Sequence, residues 1–298
     1  MTLPILRLRA KEDKRLRQGH IWIYSNEVDT KVTPLKSFVA GDLVTVEAST
    51  GKPLGVAYIN PNNLLCARLL NRDHRIAVDR SFFVHRFNIA LSLRTRVFNK
   101  PFYRAIYGES DSLPGLIVDR FDKHLVVQIT TQGMEAQKDA IIDALKKVFK
   151  PESILLRNDC NSRKAENLSG GVEQAFGITP ESLQIEENET QFIIHPHTGQ
   201  KTGWFFDHRV SRSQIAKYVE GKRVLDVFSY IGAFGIQMAN AGASEAWCID
   251  ISGKALDELE ANAKLNGISD KDYNYIAHNY NDMSLKKGLA DVMSAYLT

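Results

Sequence analysis

A chain of 298 residues is long enough for about two domains, and its 44% hydrophobic and 24% charged residues are the balance of a globular protein that buries real cores. The longest apolar runs, such as HLVVQIT and QFIIH, fall far short of the roughly 20 residues of a bilayer span. The N-terminal apolar patch also runs into charge too soon for a secretion signal, so no membrane partner and a cytoplasmic location are expected. The net charge of +3 is uneven: residues 1–100 hold 17 Lys and Arg against 8 Asp and Glu, and the other 198 residues hold 21 against 27. A basic first third points to a polyanion partner, nucleic acid above all.

Residues 1–75 read as short strands joined by turns. FVAGDLVTVEAST alternates around a Gly-Asp turn, and LGVAYINPNNLLCARLL gives two more strands split by Asn-Pro-Asn-Asn. In KEDKRLRQGHIWIYS, Lys11, Lys14, Arg15 and Arg17 stand close to Trp22 and Tyr24. Cations grip phosphates and flat rings stack on unpaired bases, although both rings are also readable as core residues of a strand. Val78 to Phe98 has helical spacing with arginines on its polar face and is expected to be a connecting helix.

The rest of residues 76–195 reads as a mixed module. GESDSLPGLIVDRFDKHLVVQIT is strand, Asp-Lys turn, strand; MEAQKDAIIDALKKVF is an amphipathic helix stopped before Pro151. SILLRN and a hairpin turning at Glu187-Asn188 complete an α+β order. From residue 196 onward, the loop HTGQKTGWFFDHRVSR precedes alternating strands and helices, the pattern of a parallel, doubly wound sheet. Two of these helices end at Gly242 and Gly267, the preferred left-handed stop.

In such a sheet, ligands sit beyond the carboxyl ends of the strands. Asp226 lies near that edge, the turn Phe228, Ser229, Gly232 and Gly235 follows it, and Asp250 ends the next strand, where a carboxylate accepts hydrogen bonds from ribose hydroxyls. The missing Cβ at Gly232 is expected to let a ligand approach the backbone. A dinucleotide site wants G-x-G-x-x-G, whereas this loop carries bulky Phe228, Tyr230 and Phe234. Bulky walls suit a nucleoside without a pyrophosphate, namely S-adenosyl-L-methionine (SAM); a plain packing loop is the alternative.

KTGWFFDHRVSR, followed by VLDVFSYIGAFG and CIDIS, resembles the ribosomal RNA large-subunit methyltransferase I family, SAM-dependent enzymes that make 5-methylcytosine in bacterial large-subunit (23S) rRNA. AGDLVTVEASTGKPLGVAYINPNNLLCARLL resembles the PUA RNA-binding domain of that family, and GESDSLPGLIVDRF the opening of its central domain. The resemblance runs in the family's order to about Ser269. It implies a multidomain α/β protein with a β-rich PUA domain over 1–75, a connecting helix and central α+β domain over 76–195, and a Rossmann-like class I methyltransferase domain over 196–298. It implies SAM contacts from Phe228, Ser229, Gly232 and Phe234, with Asp250 on the ribose. It also implies that Lys201, Thr202, Gly203, Phe206, Asp207 and Arg209 line the cofactor and substrate entrance. Arg209 would hold the methionine carboxylate and Asp207 would face the ammonium, unless either is a helix-terminal salt bridge. Ribosomal RNA is the implied partner, with Lys11, Lys14, Arg15, Arg17 and Trp22 as its contacts on the basic segment.

The chain also departs from the family. Family enzymes attack C6 of cytosine with a cysteine and position the base with Asp-Pro-Pro; no DPP occurs here, and only 31 residues follow Gly267. Cys66 and Cys248 sit in strands, where thiols are usually inert, and Cys160 belongs to the central domain. None of the three has CxxC or CxxH spacing, so neither a disulfide framework nor a metal is expected. The end of the chain reads as lacking an apolar third strand and the acid expected beside the adenine, His278 or Asn279 standing there instead. This predicts a frameshifted, truncated or otherwise altered C-terminus, an exposed sheet edge that favours a homodimer, and RNA binding without methyl transfer. The alternatives are an RNA-binding protein with a vestigial methyltransferase domain, or an enzyme acting on another RNA base.

Overall fold

The computed structural model describes residues 3–268 together with the backbone of 278–279. Internal contacts divide the chain into two units, residues 1–181 with 196–204 and residues 182–195 with 205–298.

The first unit opens with strands β1 (Ile5–Arg7), β2 (Trp22–Tyr24), β3 (Leu43–Glu47), β4 (Pro53–Ile59) and β5 (Leu65–Asn71), forming one sheet in the order β1-β3-β4-β5-β2, with helix α1 (Asp13–Arg17) between the first two. Strand β3 behaves as its alternation predicts: Val44 and Val46 are buried, and Leu43, Thr45 and Glu47 are half-buried. They join Leu6, Leu8, Leu16, Ile23, Ile59 and Leu69 in one core. In β2 it is Ile23 that enters this core, while Trp22 is turned outward with 38% of its surface exposed, so Trp22 is not a core residue.

Helix α2 (Arg80–Val97) begins where the Asp79 carboxylate accepts the Phe82 amide at 3.0 Å. It is more than a connector: Phe82, Phe83, Phe87 and Ala90 are buried in the central core. The central strands are β6 (Phe102–Tyr107), β7 (Leu116–Phe121), β8 (His124–Ile129), β9 (Ser153–Arg157) and β10 (Val172–Phe176), with the short helix α3 (Gln132–Glu135), α4 (Lys138–Phe149) and α5 (Ser162–Ala165) between them. They form a sheet in the order β10-β9-β8-β7-β6, antiparallel except for the β8–β9 pair. Ile106, Val118, Val127 and Leu156 share a core with α2 and with Ile141, Leu145 and Phe149 of α4. The opposite face carries Ile117, Asp119 and Gln128, because successive side chains alternate across a sheet.

The second unit starts with the hairpin β11 (Leu183–Glu187) and β12 (Thr190–Ile194). Its turn falls at Asn188 and Glu189, both with positive φ (51° and 64°), one residue later than the sequence predicts. That shift puts Glu187 at the end of β11, fully buried. Then come α6 (Arg209–Ile215), β13 (Arg223–Val227), α7 (Gly235–Asn240), β14 (Glu245–Asp250), α8 (Gly253–Leu265) and β15 (His278–Asn279), the three strands forming a parallel sheet in the order β13-β14-β15. The hairpin docks on α8 through the buried Asn262, whose Oδ1 accepts the Ile193 amide at 2.7 Å. Gly242 and Gly267 end their helices at φ +91° and +73°, as predicted. A short third strand, β15, pairs with β14, with Asn279 opposite Asp250; its two residues, His278 and Asn279, are polar, as the sequence predicts for that place. The acid expected beside the adenine concerns side chains that lie outside the described residues.

Candidate functional site

The residues of the turn after β13 are held by backbone bonds to the end of β14. The amides of Phe228 and Ser229 both donate to the Ile249 carbonyl, at 2.7 and 3.0 Å, and Gly232 donates to the Ser229 carbonyl at 2.9 Å. Phe228 and Tyr230 adopt positive φ (67° and 51°), costly for bulky residues and found where structure over-determines them. Asp250 fastens the turn: Oδ2 accepts the Tyr230 amide at 2.8 Å and Oδ1 the Ser252 amide at 2.9 Å. A carboxylate has about four lone-pair sites, so each oxygen keeps one for a ligand hydroxyl.

The glycines have a packing role of their own. A Cβ at Gly232, whose φ is +86°, would lie 2.8 Å from both Ile236 Cδ1 and Leu259 Cγ, and one at Gly235 would lie 2.2 Å from Cys248 Sγ. Gly232 is therefore required by the close approach of Ile236 of α7 and Leu259 of α8, and Gly235 by the seating of α7 on β14.

The chemistry of the turn suits a polar ligand with apolar walls. Phe228 is 74% exposed and Phe234 half-buried, while the Ser229 hydroxyl is buried without a hydrogen-bond partner among the described residues. Phe205 meets Tyr230 edge-on at 5.7 Å between ring centres, and His208 lies 6.3 Å from Phe234. Sequence reasoning picked Phe206 from the Phe-Phe pair, but Phe206 is turned into the interior. It also passed over Arg212, which lies 5.4 Å from the Phe234 ring and, at 1% exposure of its side chain, makes an ion pair with the fully buried Glu187 at 2.7 Å. Gln237 Nε2 donates to the same carboxylate at 3.2 Å, and Asn188 Nδ2 to the Gln237 carbonyl at 2.8 Å. The one available signal was Glu187 at a hairpin end with an arginine in the following helix.

Asp226 sits beneath the turn and accepts the Gly235 amide at 3.0 Å. Burial pushes its carboxyl from 3.8 up to about 6, against the opposing pull of that amide and of Arg212. Between about pH 4 and pH 6 the folded chain holds a proton there that the unfolded chain has released, so stability falls as pH rises through that window and levels off above it. Urea unfolding across this range should show Asp226→Asn removing a loss of up to about 3 kcal/mol. Identical pH profiles for both chains would mean that the acid is already ionised in the fold.

The other predicted entrance residues divide between the units. Lys201, Thr202 and Gly203 belong to the first, and Phe206, Asp207 and Arg209 to the second. The Thr202 hydroxyl is fully buried and donates to Asp119 at 2.6 Å. Asp207 is exposed, and half-buried Arg209 opens α6, with desolvation lowering its pKa. On the basic segment, Arg15 is bound to Glu27 at 2.8 Å and Arg17 to Asp13 at 2.6 Å, while Lys11 and Lys14 are exposed. The Trp22 indole donates to Glu109 at 3.3 Å.

Cys66 and Cys248 are buried, and burial pushes the Cys66 thiol up to about 12 and the Cys248 thiol well above its ordinary value. Cys160 is half-exposed. No cluster of three metal-ligating side chains occurs among the described residues, and no described helix is long and apolar enough to cross a membrane.

A PUA-like domain family model matches residues 6–72, and an S-adenosylmethionine-dependent methyltransferase model matches residues 163–289. The second match runs through the segment that sequence reasoning set apart as foreign, so that expectation is not supported. The chain is 35% identical over 274 residues to the ribosomal RNA large subunit methyltransferase I of Aliivibrio fischeri, covering 89% of this chain and 67% of that one. The corresponding values for Aeromonas hydrophila are 35% over 284 residues, 93% and 70%, and for Vibrio cholerae 36% over 268 residues, 89% and 66%. The chain thus spans about two thirds of the length of these relatives. Among solved structures, a Streptococcus mutans protein described as a SAM-dependent methyltransferase matches 97% of this chain and 74% of its own, with a TM-score of 0.80 at 19% identity. Another, described as a methyltransferase complexed with SAH, matches 97% and 73%, with a TM-score of 0.81 at 18% identity. Those two share the fold; the sequence identity to the curated relatives decides the family, and this chain belongs to the ribosomal RNA large subunit methyltransferase I family.

Proposed function

We propose that this protein transfers a methyl group from SAM to large-subunit ribosomal RNA, with C5 of a cytosine as the acceptor and the cytoplasm as the place of action. The observation that carries this reading is the Asp250-fastened turn after β13, in a chain 35% identical to proteins named for that activity. SAM is the family's cofactor and supplies an electrophilic methyl group carried on a sulfonium.

The donor set fits that molecule. Asp250 keeps lone pairs for two ribose hydroxyls, Ser229 brings a buried hydroxyl with no partner among the described residues, and Phe228 and Phe234 offer apolar walls. Arg209 and Asp207 are assigned to the methionine carboxylate and ammonium, and Lys201, Thr202 and Gly203 to the entrance. Exposed Lys11 and Lys14, the rims of Arg15 and Arg17, and the outward ring of Trp22 are assigned to RNA. Neither Cys66 nor Cys248 suits the nucleophilic attack on C6, since both thiols are buried and held protonated.

Bisulfite mapping of large-subunit rRNA from cells with and without the gene tests the reading. One 5-methylcytidine is expected to disappear with the gene. Loss of a different methylated nucleoside would remove the cytosine assignment, and an unchanged rRNA would overturn the proposal in favour of an RNA-binding role.

A further inference from the structure

The face of the central sheet opposite α2 and α4 carries a cavity of about 320 Å³ lined by Arg104, Ile117, Gln128, Arg157, Asp159, Cys160 and Lys201. All seven belong to the first unit. We propose that this cavity takes one unpaired RNA nucleotide, with Gln128 reading the edge of its base. The inference rests on RNA as the substrate class proposed above.

Gln128 is the observation that carries it. The residue is 92% buried (8% exposed) on β8 and lines the cavity, and its side-chain amide, which still reaches solvent, has no hydrogen-bond partner among the described residues. An amide that makes no bond to the protein and opens on a cavity is solvated by water until a ligand group takes the water's place. It offers one acceptor and two donors, the complement of a base edge.

Its neighbours supply the rest of a nucleotide site. Ile117 is the register partner of Gln128, and Tyr107 that of Ile117, so the three stand in a row on one face across β8, β7 and β6. Ile117 gives an apolar floor for the face of a base, and Tyr107, 46% exposed, is an adjacent ring for stacking. Arg104, Arg157 and Lys201 also line the cavity, beside Asp159. Asp159 is held by Arg157 at 3.1 and 2.9 Å, and Arg104 is held by Asp119 at 2.8 and 3.0 Å.

The loop bearing Lys201 is pinned at both ends. Arg157 donates to the carbonyls of Pro196 and Gly199, and Thr202 donates to Asp119 at 2.6 Å. The cavity wall is therefore built before any ligand arrives. Its volume lies at the lower end of the roughly 300–1,000 Å³ of ligand sites.

Cys160 gives the assay. It is half-exposed in the cavity wall, whereas Cys66 and Cys248 are buried, so a thiol reagent on the native full chain reports on Cys160. Cytidine 5′-monophosphate and a single-stranded oligoribonucleotide are expected to slow labelling, while ribose 5-phosphate and inorganic phosphate leave it nearly unchanged. Gln128→Leu, close in size, should raise the nucleotide concentration needed for protection about tenfold. Gln128→Glu, which replaces the donors with a charge, should do the same and serves if the leucine variant does not fold. Equal protection by ribose 5-phosphate would make this an anion site only and overturn the base-reading role. So would protection that both variants retain, or no protection by either nucleotide probe. Labelling needs no methyl transfer, so its failure is distinguishable from failure of the methyltransferase reading.

Discussion

Arg212→Met is expected to destabilise the second unit by about 3–5 kcal/mol, because it strands a buried carboxylate. Glu187 is fully buried and would lose its guanidinium partner, while the Gln237 amide stays at 3.2 Å. Arg212 also donates to the Phe205 carbonyl at 2.8 Å and covers the Phe234 ring, so its loss should loosen both segments around the turn. Glu187→Leu alone should cost a similar amount by stranding the guanidinium. The double variant should recover most of the loss, since removing both charges also removes their desolvation. Urea unfolding of the four chains measures this coupling. Simple additivity of the two single losses would mean that the pair is not the buried unit described here.

Asp250→Ala should lower SAM affinity on the order of 100-fold, through two charge-assisted hydrogen bonds to ribose hydroxyls and a loosened turn. The two causes can be separated. Asp250→Asn keeps the size and one good acceptor, and its amide nitrogen faces either a backbone N–H or a hydroxyl. Titrating adenosine and 2′,3′-dideoxyadenosine calorimetrically against both chains isolates the ribose contribution. The Asn variant should weaken adenosine markedly and dideoxyadenosine little. Equal weakening of both nucleosides would restrict Asp250 to holding Tyr230 and Ser252 and remove it from the ribose.

The parts legible in the sequence were those set by local chemistry. Alternation located β3, and the helix stops at Gly242 and Gly267 followed from their left-handed geometry. The turn after β13 and the acid at the end of β14 were legible because a loop at a strand's carboxyl end has few ways to be built. The illegible parts were long-range. A one-residue difference in the β11–β12 turn decided that Glu187 points inward, and only then could Arg212 be recognised as its partner. The packing demand on Gly232 was likewise illegible, because the sequence does not reveal that Ile236 and Leu259 occupy the space where a Cβ would stand. Helix α2 was read as a connector because its apolar face has no assigned neighbour until α4 and β6 are placed against it.

By itself the sequence determined the family, its cofactor and the order of the main strands and helices, since these rest on residue types at fixed spacing. Tertiary structure alone decided which polar groups are already engaged. Thr202 is bound to Asp119, Arg15 to Glu27 and Arg212 to Glu187, whereas the amide of Gln128 is left open to a cavity. The physical reason is that a hydrogen bond between residues far apart in the chain depends on how whole sheets are packed, and burial then fixes whether a polar group is satisfied or waits for a ligand.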